Sequence, residues 1–212
     1  MKTATENILK ELISRYPALS GCEDDIRKAF EILLECYSNG KKLLVAGNGG
    51  SAADSEHIVG ELMKRFRKPR AINADVYEKL SQFGSDGEKL RVSLEGALPA
   101  VSLTSHTAFS TAFANDREPK ISFAQQLYGL GERGDVALLI STSGNSENLV
   151  YCAEVAFAKD IKTIALTGKN ESRLSELCLV TIKVPETETF KVQELHLPVY
   201  HCLCAMLEEE IF

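Results

Sequence analysis

The chain has 212 residues, 44% hydrophobic and 25% charged, enough for one domain with a large core and too apolar for a disordered protein. With 24 basic against 30 acidic residues its net charge is -6, which argues against nonspecific nucleic-acid binding, since phosphate contacts need a positive field. No apolar stretch approaches the roughly 20 residues of a membrane span, and the amphipathic start, MKTATENILKELISRY, lacks the continuous apolar core of a signal peptide.

Two helices are predicted first. Residues 2 to 17 carry Ile8, Leu9, Leu12 and Ile13 on one stripe. Residues 22 to 39 carry Ile26, Ala29, Phe30, Leu33, Leu34 and Tyr37 at a 3.6-residue period. Ser20 and Glu23 suggest a capping box, and Gly40 a stop. From residue 42 the pattern changes. Lys-Leu-Leu-Val-Ala (42 to 46) reads as a short apolar strand, and a helix to about Phe66 follows it. Residues 67 to 98 are polar with three glycines and read as an insertion or lid with short helices. Further strands are expected at 99 to 103, 136 to 140, 161 to 166 and 179 to 184. Helices are expected near 146 to 159, 172 to 177 and 190 to 211. Short apolar strands alternating with helices imply a single α/β domain over residues 1–212, a parallel sheet covered on both faces and preceded by N-terminal helices (1–40). Ligands in such sheets bind at the carboxyl ends of the strands. Cysteines 22, 36, 152, 178, 202 and 204 form no CxxC pair and read as reduced core residues of a cytoplasmic protein.

Two loops carry the chemical signal. Gly47-Asn48-Gly49-Gly50-Ser51 follows a strand and opens a helix. Its glycines let backbone N–H groups approach a ligand, and the helix N-terminus favours an anion. Taken alone, it is equally a tight strand-to-helix turn. Ser141-Thr142-Ser143-Gly144-Asn145-Ser146 also lies between strand and helix, and its four hydroxyls exceed what capping requires. Two such loops in one parallel sheet point to a phosphorylated small molecule. His57 and Glu61 share a helix face, with Arg65 one turn further on the same stripe. In isolation these read as a surface pair and a solvated charge. His201, among Tyr200, Cys202, Leu203 and Cys204, reads in isolation as a core histidine.

GNGGSAAD, followed by His57 and Glu61, then STSGNS, then Gln193-Glu194-x-His196 and His201, resembles the sugar isomerase (SIS) fold. Within that fold it is most similar to the phosphoheptose isomerase family, and the matching blocks cover about residues 40 to 205. The resemblance implies a three-layer α/β/α fold, with a mainly five-stranded parallel sheet in flavodoxin-like order. It implies an aldose–ketose isomerase acting on a phosphorylated seven-carbon sugar, sedoheptulose 7-phosphate, through an enediolate. It also implies a homotetramer with active sites at subunit interfaces. A divalent metal, expected to be zinc, one per active site, would be held by His57, Glu61, Gln193 and His201. Glu61 would be the general base and His201 the general acid.

Substrate contacts implied by the same resemblance are Asn48, Gly49, Gly50, Ser51, Glu61, Arg65, Asn115, Asp116, Ser141, Thr142, Ser143, Ser146 and Gln193. Eight residues of straight helix between Gln193 and His201 span about 12 Å, so the segment is irregular or different subunits supply the two. Pro198 between them predicts a kink or break. His106 and His196 carry no assigned role. The alternative class is a non-catalytic SIS protein that binds the replication initiator DnaA or senses a phosphosugar.

Overall fold

The computed structural model describes residues 1–212. Five strands form one parallel sheet: β1 (Leu43–Gly47), β2 (Ala100–Ser102), β3 (Val136–Ser141), β4 (Lys162–Thr167) and β5 (Val180–Lys183). Their order is β2-β1-β3-β4-β5, the flavodoxin-like arrangement expected. The central strands are buried along their whole length because both faces are covered. Alternation then sorts side chains between two layers. Leu43 and Val45 face the larger layer with Leu138, Ile140 and Ile164. Leu44 and Ala46 face the smaller one with Ala137, Leu139 and Ala165.

The larger layer receives α1 (Thr3–Arg15), α2 (Glu23–Ser38), α3 (Gly50–Met63) and α10 (Thr189–Ile211). α1 buries Leu9 and Leu12, and α2 buries Ile26, Ala29, Phe30 and Leu33, as their periodicity requires. Gly40, with φ of 66°, ends α2 as expected. The Ser20–Glu23 capping box does not form. Pro17–Cys22 is a 3-10 helix that runs directly into α2, so Ser20 lies inside a helical turn and cannot act as an extended N-cap.

The smaller layer is covered by α7 (Ser122–Leu130) and α8 (Glu147–Ala158), and α7 has no counterpart in the sequence reading. Between β1 and β3 come α4 (Ala74–Leu80), α5 (Gly84–Ser93) and α6 (Thr107–Asp116), and α9 (Arg173–Leu177) precedes β5. Residues 67–98 thus hold two short helices, and α4 buries none of its side chains. The base of this segment is tied down by Leu98 N–H donating to Leu62 O at 2.9 Å.

Pro198 does not break α10, which runs unbroken through it. Buried neighbours on both sides, Val192 and His196 before it and Val199, Tyr200 and Leu203 after it, hold the two halves against the sheet. All six cysteines are free and five are buried. Burial pushes the Cys152 thiol up to about 12, which keeps it protonated and unreactive. No helix is long and apolar enough to cross a membrane.

Candidate active site

β1 and β3 are neighbours, with Gly47 opposite Ile140, so the loops that leave them stand side by side. Strand order reverses at this point of the sheet, which opens a crevice at the carboxyl edge. In the first loop Gly49 has φ of 57°, a left-handed conformation that a side chain would strain. At Gly50, a Cβ would come within 2.7 Å of Gln193 Nε2. The Gln193 amide therefore packs directly on the backbone that opens α3.

The second loop is organised by its own hydroxyls. Ser141 Oγ lies 3.0 Å from Ser146 Oγ and accepts from Gly144 N–H at 3.1 Å. Ser143 Oγ accepts from Asn145 N–H at 3.2 Å. Ser146 occupies the N-cap of α8 without capping it by its side chain, which leaves first-turn N–H groups for a ligand. A residue absent from the sequence reading joins the loops. Asn148 and Asn48 exchange amide hydrogen bonds of 2.9 and 3.0 Å. The only available signal was a second asparagine in the first turn of α8.

α3 and α10 run side by side from this edge. His57 and Glu61 share a face of α3, with His57 Nε2 3.2 Å from Glu61 Oε1. From α10, His201 Nε2 comes within 3.5 Å of His57 Nε2. Tyr200 touches His57 Nδ1 at 3.0 Å and donates to Asp54 Oδ1 at 3.2 Å. His201 is partly buried, and burial, with the His57 ring beside it, lowers its pKa against the opposing pull of Glu61. A neutral His201 with an available lone pair is favoured. Burial likewise raises the Asp54 carboxyl, in spite of the Tyr200 hydrogen bond.

His57, Glu61 and His201 bring together the donor types that zinc takes, with His57 3.2 Å from Glu61 and 3.5 Å from His201. These donors form a chain of contacts, and no three His, Cys, Asp or Glu side chains of this chain close around a point. Gln193 stands about 12 Å up the same unbroken helix and packs at the loop.

Arg65 is displaced from its expected place. α3 ends at Met63, so Arg65 is not on the His57–Glu61 stripe; it pairs with Glu95 at 3.1 Å and is 63% exposed. Asn115 and Asp116 end α6, where their side chains hydrogen-bond each other at 2.9 Å. They are exposed, and no hydrogen bond links them to the histidine pair. His106 Nδ1 meets Gln126 Oε1 at 2.6 Å, and His196 is fully buried in the core.

A parallel sheet in this order, with two hydroxyl- and glycine-rich loops at its crevice and a His–Glu–His group beside them, defines an α/β protein built for a small anionic ligand. The SIS domain family model matches residues 106–206, and a second SIS domain model matches residues 9–81. A phosphoheptose isomerase from a Nitratiruptor species is 36% identical over 96% of this chain and 98% of its own. Solved phosphoheptose isomerases from Francisella tularensis and Neisseria gonorrhoeae superpose with TM-scores of 0.74 and 0.72, at 28% and 29% identity. Each comparison covers 98% of this chain and 100% of the other. The chain belongs to the phosphoheptose isomerase family of SIS-domain proteins.

Proposed function

We propose that this chain interconverts sedoheptulose 7-phosphate and D-glycero-D-manno-heptose 7-phosphate, the isomerisation that opens heptose biosynthesis. The observation that carries the reading is the joining of His57, Glu61 and His201, within 3.2 and 3.5 Å, beside the paired loops. Ser51, Ser141, Thr142, Ser143 and Ser146, with the opening N–H groups of α3 and α8, hold the phosphate. Asn48, Gly49 and Gly50 shape the same anchor. Along α3, Ser51 and His57 are separated by about 9 Å, so a sugar gripped by its phosphate presents its other end to the histidine pair.

Isomerisation moves a proton between C1 and C2 of the open-chain sugar. Glu61 takes and returns that proton. Its Oε1 faces His57, while Oε2 faces only Lys64 Nζ at 3.5 Å, so one oxygen serves the donor group and the other is open to substrate. His201 exchanges the proton of the sugar oxygens, a task suited to an imidazole whose neutral form is favoured. Bound zinc would act as a Lewis acid on the substrate oxygens. His57, Glu61 and His201 would hold it. Gln193 contacts substrate at the loop of its own chain and reaches an ion only across a subunit boundary. A homotetramer with shared active sites, in the cytoplasm, fits this division. Asn115 and Asp116 would meet the sugar hydroxyls of an adjoining site.

The test is turnover of sedoheptulose 7-phosphate by the chelator-treated protein before and after zinc is restored. Activity that returns with zinc supports the reading. Full activity of Glu61→Gln and of His201→Ala would sink it.

A further inference from the structure

Tyr200 precedes His201 on α10 and is 1% exposed. Its hydroxyl donates to Asp54 Oδ1 at 3.2 Å and lies 3.0 Å from His57 Nδ1. A phenol has one hydrogen. With that hydrogen directed at Asp54, the contact to His57 requires the imidazole Nδ1–H to donate to the phenol oxygen. A neutral imidazole carries a single N–H, so Nε2 keeps its lone pair. Nε2 is the atom that faces Glu61 Oε1 at 3.2 Å and His201 Nε2 at 3.5 Å. The opposite tautomer would place a hydrogen there, bond it to Glu61, and remove the lone pair a cation needs.

We infer that Asp54 and Tyr200 are positioning residues that fix His57 as the Nδ1–H tautomer and so present Nε2 to a divalent cation. This rests on the proposed role of His57 as a metal donor. The placement follows from the two helices. Asp54, His57 and Glu61 lie three and four residues apart on α3, hence on one face, and α10 brings Tyr200 between the first two. An oriented hydrogen bond to the far nitrogen of a ligating histidine sets its tautomer and ring angle and raises its basicity. Tyr200 is rigid here, packed edge-on against both rings at centroid distances of 5.6 Å to His57 and 4.9 Å to His201.

The test uses the metal-free full-length protein labelled with nitrogen-15 at histidine. Long-range proton–nitrogen NMR at about pH 8, above the ordinary histidine range, reads the tautomer directly. His57→Gln assigns the signal. The wild type is expected to show Nδ1–H at His57, and this spectrum decides the matter even if Tyr200→Phe fails to fold. Tyr200→Phe is expected to shift His57 toward Nε2–H and to weaken Zn²⁺ binding, by calorimetry, about tenfold to hundredfold. Nε2–H in the wild type overturns the inference, as does a Tyr200→Phe protein with unchanged tautomer or unchanged zinc affinity. Absent turnover with the Nδ1–H tautomer intact would instead count against the isomerase reading alone.

Discussion

Arg70 and Glu208 form a buried ion pair, with Nε donating to Oε1 at 2.7 Å and side chains 0% and 1% exposed. Glu208 also accepts from the backbone N–H groups of Phe66, Arg67 and Lys68, and Arg70 donates to the carbonyls of Leu62 and Glu61. The pair therefore closes the carboxyl end of α3 and ties it to α10, the two helices that carry Glu61 and His201. Removing one member leaves a buried charge unpaired. Arg70→Met is expected to lower stability by about 3–5 kcal/mol, read from denaturant melts. A loss within about 0.5 kcal/mol would show the bond to be dispensable.

The same carboxylate gives the fold an acid limit. Burial alone would raise the Glu208 pKa, but the Phe66 N–H and the Arg70 guanidinium overcome it and hold the group below its ordinary 4.5. A folded value below the unfolded one contributes stability above that range, lost as pH falls through the folded value. Melting temperatures of wild type and Glu208→Gln should thus differ at pH above about 5 and converge in stronger acid.

His196 sets a second, milder limit. It is fully buried, and that burial outweighs the opposing pull of the Thr167 backbone to push its pKa down to about 4 from 6.5. The unfolded state binds the proton first, so stability is complete above the unfolded value and falls between 6.5 and about 4. The full effect is about 3 kcal/mol. His196→Phe should remove this dependence, with little loss at neutral pH. Denaturant midpoints at the two ends of the range check it, and an unchanged slope would contradict the assignment.

Asn148 links the two loops through Asn48. Asn148→Ala loses both bonds, about 1 kcal/mol each, and loosens the phosphate anchor. KM is expected to rise about fivefold to tenfold with kcat nearly unchanged. A fall in kcat with constant KM would place Asn148 in the chemistry instead.

Glu61→Gln and His201→Gln nearly keep side-chain size but remove proton exchange. Each is expected to cut kcat by about 10²–10⁴ with an unshifted melting temperature. Steady-state rates beside thermal melts separate lost chemistry from lost fold.

The sheet was legible because its strands are short apolar runs, and both loops were legible because glycines and hydroxyls crowd the strand ends. His57 and Glu61 were visible through helical spacing. Arg65 was misplaced because α3 stops early, where Arg70 takes the carbonyls of Glu61 and Leu62 that another helical turn would have used. Nothing local marks that capping. Tyr200 and Asn148 act on partners 146 and 100 residues away, a separation no periodicity reports. Pro198 misled for a related reason: a lone proline signals a break, whereas packing on both sides holds α10 together.

The most direct measurement is NMR of sedoheptulose 7-phosphate incubated with the zinc-loaded protein in deuterated water. An aldoheptose phosphate carrying deuterium at the reacting carbon is predicted, because a base that exchanges with solvent moves the proton. Binding of the sugar phosphate without conversion or exchange would contradict the isomerase and leave the His57–Glu61–His201 group a binding site only.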